Sequence, residues 1–267
     1  MTTARSLLFV PGDRPDRFAR AATSGADLVV TDLEDAVAPE RKDAARAAID
    51  DAVREGLRPA VRINAVGTPW HADDLDLVRR HGLLVMLPKA EEAALAALDG
   101  LRVVALVETA RGLLDAPQIA AHPCVDRLAL GHLDLAAELG VSPDNRTIVD
   151  AARVQLLIAS TAAGLPGPVD GVTAQLRDPE WLRADLAAAT AVGCAGKLCI
   201  HPDQIAPVHA ALAPDEDEIA WARRVLASAD AGVSVVDDRM VDAPVLARAR
   251  TILARTGEAR TEGEHPS

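Results

Sequence analysis

Eight short apolar runs, each followed by a polar turn and then a segment of helical period, recur along this chain and leave few architectures open. They are "SLLFV" (6–10), "DLVVT" (27–31), "PAVRI" (59–63), "LLVML" (83–87), "VVALV" (103–107), "RLALG" (127–131), "GPVDGV" (167–172) and "KLCIH" (197–201). Continuously apolar strands alternating with helices imply a parallel sheet covered by helices. Eight such units within about 210 residues fit a closed (β/α)8 TIM barrel better than an open doubly wound sheet. An open sheet would also want a glycine-rich phosphate turn after its first strand, and "FVPGDRPDR" carries no G-x-G-x-x-G. The seventh strand is the weakest of the set, because "GLPGPVDGV" holds two prolines and three glycines.

Beyond the eighth unit, "PDEDEIAWARRVLASADA" reads as an amphipathic helix, and "GVSVVDDRMVDAPVLARARTILAR" as a connector into another helix. The predicted organisation is therefore an α/β barrel over 1–212, a C-terminal helical extension over 213–256, and a disordered tail over 257–267, "TGEARTEGEHPS" being its sequence from 256 on.

Charge narrows the function classes. The net charge of -12 and the lack of a basic run argue against nucleic acid as a partner. No stretch approaches the roughly 20 apolar residues of a membrane span, and the first apolar run is too short for a signal peptide, so a cytoplasmic protein is expected. Three cysteines, Cys124, Cys194 and Cys199, give no disulfide framework and agree with a reducing compartment. "CAGKLCIHP" brings Cys194, Cys199 and His201 close in sequence, but Cys199 lies inside an apolar run, so buried small hydrophobes are expected there rather than a metal site.

In a barrel of this kind the C-terminal strand ends converge on one face, where sites of the fold lie. Those ends are charged. Arg14 follows the first strand; Asp32, Glu34 and Asp35 the second; Arg62 and Asn64 the third; Lys89 the fourth; Glu108 and Arg111 the fifth; Asp134 the sixth; His201 the eighth. Such residues can also be ion pairs that cap a sheet. Their succession around the ring favours a site that holds a cation and an anionic substrate together. Glu108 and Asp134 offer hard oxygen ligands with no third of equal quality, a pattern that suits Mg²⁺ with its retained waters. Arg62 and Arg111 can offer guanidinium forks to a carboxylate, and Glu34 and Asp35 are catalytic candidates.

"RSLLFVPGDRPDRFARA", "VVTDLEDAV", "VRIN", "MLPKAE", "ALVETARG", "LGHLDLAAELG", "GKLCIHPDQI" and "RMVDAPVLARA" together resemble the citrate lyase β-subunit-like proteins of the HpcH/HpaI aldolase superfamily. The blocks run in order from about residue 5 to 255. The resemblance implies a Mg²⁺-dependent lyase that breaks or forms a carbon–carbon bond in 3-hydroxyacyl-CoA thioesters such as citryl-, malyl- or citramalyl-CoA, with an acyl-CoA and an α-keto acid as products. It implies that Glu108 and Asp134 bind the metal and that Arg62 clamps the keto-acid carboxylate. It further implies a homo-oligomer, trimer or hexamer, whose C-terminal segment covers a neighbour's site and brings Asp242 as acid/base. Arg14, Arg17 and Lys89 are candidates for contacts with the thioester or the CoA phosphates.

Two departures from the family pattern stand out. His132-Leu133-Asp134 lacks the acidic residue often found just before the metal-binding aspartate, and Asp238 stands where a glycine is common. Three alternatives to a CoA lyase are a citrate lyase β subunit acting on an acyl-carrier-protein thioester, a metal-free aldolase using Lys89 as a Schiff base, and a non-enzymatic thioester-binding subunit. Lys89 sits in "PKAEE", beside acids that hold an amine protonated.

Overall fold

A computed structural model describes residues 3–230, 235–237 and 239–255. Eight parallel strands close into a barrel in sequence order: β1 (Ser6–Pro11), β2 (Leu28–Asp32), β3 (Ala60–Arg62), β4 (Leu84–Leu87), β5 (Arg102–Val107), β6 (Val125–Leu130), β7 (Val169–Asp170) and β8 (Gly196–Cys199). Ser6 pairs with Lys197 to shut the ring. The (β/α)8 architecture expected from the sequence is the one observed.

Both faces of each strand are covered, which is why the runs are apolar without alternation. Leu7, Val30, Met86, Leu106, Ala129 and Leu198 point inward and pack together in the barrel lumen. Their neighbours Leu8, Val29, Val85, Ala105, Leu128 and Cys199 are equally buried under the helices. The barrel is a packed core and not a pore.

Each strand shifts by one or two residues at one or both ends from its expected limits, and two of the shifts have a visible cause. β6 begins two residues before "RLALG", at Val125, because Val125 and Asp126 continue the extended backbone. Arg127 is 2% exposed and stands among lumen residues at the N-terminal end, donating to the carbonyls of Gly167 at 2.9 Å and Ala4 at 2.5 Å. β7 shrinks to Val169–Asp170, since Pro166 and Pro168 lack the N–H that a ladder needs.

The chain forms two compact units, Met1–His209 and Ala210–Ser267, three residues earlier than the boundary expected at 212/213. In the second unit, helices Glu216–Asp230 and Ala243–Arg255 pack through Ala222, Val225, Ala249 and Ile252. An antiparallel ribbon, Val235–Val236 with Arg239–Met240, stands where the sequence suggested only a connector. Asp238 and the tail 256–267 lie outside the described residues. Cys124, Cys194 and Cys199 are free and buried, and burial pushes their thiols up to about 11, 12 and 12, so they behave as small hydrophobes.

Candidate active site

The C-terminal mouth of the barrel opens into a cavity of about 810 Å³, and a smaller recess of about 80 Å³ lies deeper, against Glu108 and Asp134. Phe9, Arg62, Leu133, Asp134 and Val172 line both. The strand ends set out above converge here, with exceptions given below.

Asp32 ends β2 and is 1% exposed. It accepts the backbone amides of Glu34 at 2.8 Å and Ala36 at 3.2 Å, which folds the following loop back over the mouth. Gly12 lies so close beneath that a Cβ there would stand 2.8 Å from the Asp32 carbonyl oxygen. Arg62, at the end of β3, places Nε 2.8 Å from Asp32 Oδ1 and Nη2 2.6 Å from Oδ2. Its Nη1 is 3.3 Å from Glu34 Oε2, and its plane stacks 4.8 Å from the Phe9 ring. Burial disfavours the Arg62 charge, but the hydrogen bonds and charge of Asp32 outweigh it and hold the guanidinium firmly ionised. The expected fork toward a substrate carboxylate is thus already filled by Asp32, and Nη1 is the donor left facing the carboxylate-rich side.

Lys42 ties the loops together from behind. Its ammonium donates to the carbonyls of Leu33 at 2.6 Å and Glu34 at 2.7 Å and to Asn64 Oδ1 at 2.7 Å. Asn64, at the end of the third unit, is held by Asp74 through its amide N at 2.8 Å and Nδ2 at 2.6 Å.

Lys89 follows β4 in a left-handed conformation, φ 46°, which is rare outside glycine. That turn aims its backbone N–H at Glu108 Oε1, 2.8 Å away, while its Nζ reaches Glu34 Oε1 at 2.6 Å. Burial works against the ammonium, but the Glu34 hydrogen bond and surrounding carboxylates raise its pKa above the ordinary lysine value.

Glu108 directly follows β5, is 2% exposed, and lies against Gly131, where a Cβ would come within 2.4 Å of Glu108 Cβ and 2.5 Å of Oε2. Burial, and then the negative charge of Glu34, push its pKa up to about 8, with Asp134 adding to the rise. Glu34, 6% exposed, is also raised, by burial above all, against the pull of Arg62 and Lys89, and its Oε2 is buried without a hydrogen bond. A buried carboxylate facing further carboxylates is a place that a cation stabilises. The clustered acidic donors, Glu108, Asp134 and Glu34, are hard oxygens, which fits Mg²⁺. No group of three or more His, Cys, Asp or Glu suited to a metal occurs among the described residues, so Glu108 and Asp134 would share the ion with water and substrate. Asp134 sits in the first turn of helix His132–Leu139, exposed to both cavities.

The remaining expected residues are scattered. Asp35 lines the larger cavity, 3.9 Å from Arg62. Arg14 is half-buried and pairs with Asp16 at 2.9 Å, outside the cavity lining, whereas Arg17 and the unanticipated Arg20 line it. Arg111 is exposed near Asp115, 3.7 Å away, and lines neither cavity. His201 lines the larger one, its ring Nδ1 accepting the Asp203 amide at 3.2 Å. Asp242, in the second unit, is exposed and caps helix Ala243–Arg255, accepting the Val245 amide at 3.1 Å.

One buried network escaped the sequence. Arg153 (2% exposed), Asp170 (1%) and Lys197 (1%) join Asp185 under the β7–β8 side, with contacts of 2.6 to 2.9 Å. Asp185 also accepts from Thr173 Oγ1 at 2.7 Å, and Gln204 Nε2 donates to the Thr173 carbonyl at 2.9 Å, so the network fixes the loops that carry Val172 and His201 to the cavity.

The family model "HpcH/HpaI aldolase/citrate lyase" matches residues 5–99 and 96–202. The chain belongs to this family. A citrate lyase subunit beta-like protein of Mycobacterium tuberculosis is 43% identical over 268 residues, 96% of each chain. From Cereibacter sphaeroides, a (3S)-malyl-CoA thioesterase is 36% identical over 269 residues (94% of each), and an L-malyl-CoA/beta-methylmalyl-CoA lyase 31% identical over 298 (93% of each). The crystal structure of CitE from M. tuberculosis, in complex with magnesium, acetoacetate and coenzyme A, superposes with a TM-score of 0.85 at 41% identity, covering 97% of this chain and all of that one.

Proposed function

We propose that this protein is a Mg²⁺-dependent carbon–carbon lyase, or the reverse synthase, acting on a 3-hydroxyacyl-CoA thioester. The observation that carries it is Glu108, a carboxylate buried at the barrel mouth beside Asp134 and Glu34, with one backbone amide as its hydrogen-bond partner. Relatives that bind magnesium, coenzyme A and a keto acid, and one that is a malyl-CoA lyase, support the same chemistry.

Glu108 and Asp134 would hold Mg²⁺, which when bound polarises the oxygens of the α-keto acid half. Arg62 Nη1, kept in place by Asp32, orients the keto-acid carboxylate. Asp35, which lines the cavity beside the same guanidinium, with Glu34 next to it, would take the proton of the 3-hydroxyl as the carbon–carbon bond breaks. The bonding pair moves into the thioester carbonyl, and the resulting enolate takes a proton at carbon to give the acyl-CoA. We assign that proton to Asp242 of a neighbouring copy, in a cytoplasmic trimer or hexamer. Arg17 and Arg20 carry the positive charge at the cavity wall toward the CoA phosphates. Arg14 and Arg111, outside the cavity lining, would meet the part of CoA that extends past the rim.

A Schiff base on Lys89 is disfavoured by the Glu34 contact at 2.6 Å, which keeps the amine protonated and unreactive. The test is a panel of citramalyl-, malyl- and citryl-CoA together with citryl-acyl-carrier protein. Release of an α-keto acid from a CoA thioester is expected. Turnover of the carrier-protein thioester alone would make the chain a complex subunit, and trapping of pyruvate by borohydride would revive Lys89.

A further inference from the structure

The 80 Å³ recess at Glu108 shares a wall with a separate cavity of about 260 Å³ that runs toward Pro143, Val149, Trp181 and Ala184. His132, Leu133 and Val172 line both. Leu133 and Val172 also border the 810 Å³ mouth, whereas His132 borders only the two smaller spaces. The imidazole is therefore the one of these three side chains that faces the two smaller spaces and not the mouth. It is pressed onto the backbone of Gly171, where a Cβ would lie 2.2 Å from Nδ1 and 3.0 Å from Cε1, so glycine at 171 is what allows the ring to occupy this position. His132 opens helix His132–Leu139, two residues before Asp134, so the ring is anchored in the same turn as the carboxylate that would hold the cation.

On the lyase reading, we propose that His132 is a specificity-determining residue, the partition that limits the C3 substituent of the α-keto acid. The acid lies in the recess between Arg62 and His132, and an alkyl chain of more than one or two carbons beyond the carbonyl meets the ring. Behind the ring the side cavity offers an apolar wall of Pro143, Val149, Ala184 and Trp181, suited to an alkyl chain, facing the polar Asp144, Arg146 and Asp185, and His132 stands with Leu133 and Val172 between it and the recess. The intact protein takes acids of glyoxylate or pyruvate size.

The experiment measures condensation of acetyl-CoA with pyruvate and with 2-oxopentanoate, as kcat/KM, for the full chain with Mg²⁺. In His132→Ala the 2-oxopentanoate to pyruvate ratio should rise about tenfold or more, the scale on which apolar pockets discriminate chain length. His132→Leu, which keeps the bulk without the imidazole, should hold the wild-type ratio within about threefold. An unchanged ratio in the Ala variant, or a Leu variant as permissive as Ala, overturns the partition. His132→Val reads the same ratio should the Ala variant not fold. Should the wild type turn over neither acid, the lyase reading fails by itself, and calorimetric binding of the two acids to the Mg²⁺-loaded protein then reads the partition: a tenfold relative gain for 2-oxopentanoate in the Ala variant upholds it, and a parallel loss of both acids overturns it.

Discussion

The backbone N–H of Lys89 donates to Glu108 Oε1 across 2.8 Å, from a left-handed residue with φ 46°. A strained backbone position thus holds a carboxylate that would bind the metal, and the same residue's ammonium neutralises Glu34. Backbone and side chain of one lysine serve two different carboxylates.

Those two roles separate by substitution. Lys89→Ala and Lys89→Gly both remove the ammonium, but only glycine relaxes at positive φ. Glycine should therefore be the more stable of the two by roughly 0.5–1 kcal/mol, the reverse of the usual order. Urea unfolding of both variants measures it, and alanine equal to or above glycine would show that φ carries no strain.

Metal binding should follow the Glu108 carboxyl. With its pKa raised to about 8 in the metal-free protein, Glu108 carries a proton at pH 7 that the cation must displace. Mg²⁺ affinity should rise by up to about tenfold per pH unit below pH 8 and level off above it, with about one proton released per ion at pH 7. Calorimetry in two buffers of different ionisation enthalpy reads the proton count; a pH-independent affinity from 6 to 8 would contradict it.

Gly131→Ala puts a methyl group where Glu108 Cβ and Oε2 now lie, 2.4 and 2.5 Å from the new atom. Glu108 must move, and displacement of a catalytic group by about 1 Å costs on the order of a hundredfold in rate. The variant should lose kcat and Mg²⁺ affinity together, by titration and turnover, while its far-ultraviolet circular dichroism stays unchanged.

Asp32→Ala removes both acceptors from Arg62 and leaves a buried guanidinium short of partners, at a cost of about 3–5 kcal/mol in stability. Because Arg62 then swings free, KM for the keto acid in the condensation direction should rise together with the loss of stability. Chemical denaturation and steady-state kinetics on the same preparation check both.

The barrel and the ring of charges were legible because each rests on a local pattern: apolar runs of strand length, and a charged residue where most of the runs stop. Glu108, Asp134, Arg62 and Lys89 do converge on one mouth for that reason. What the pattern does not carry is pairing. Nothing local says that Asp32 occupies both arms of Arg62, or that Arg111 turns outward to Asp115 while Arg20, inside a helix, turns toward the cavity. Asp170 and Lys197 are hidden by the same pattern that makes the strands visible, since a strand covered by helices predicts an apolar outward-facing residue, and here these two meet Arg153 and Asp185. β6 started early and β7 was short because charged residues and prolines break the apolar run without following the backbone.

Product analysis of malyl- or citramalyl-CoA turnover, with Mg²⁺ and with EDTA, for wild type beside Glu108→Ala, tests the central claim most directly. A metal-dependent lyase yields acetyl-CoA and an α-keto acid in equal amounts, and loses both with EDTA and with the substitution. Cleavage that persists in EDTA, or release of free CoA and the intact hydroxy acid in place of a keto acid, would contradict it.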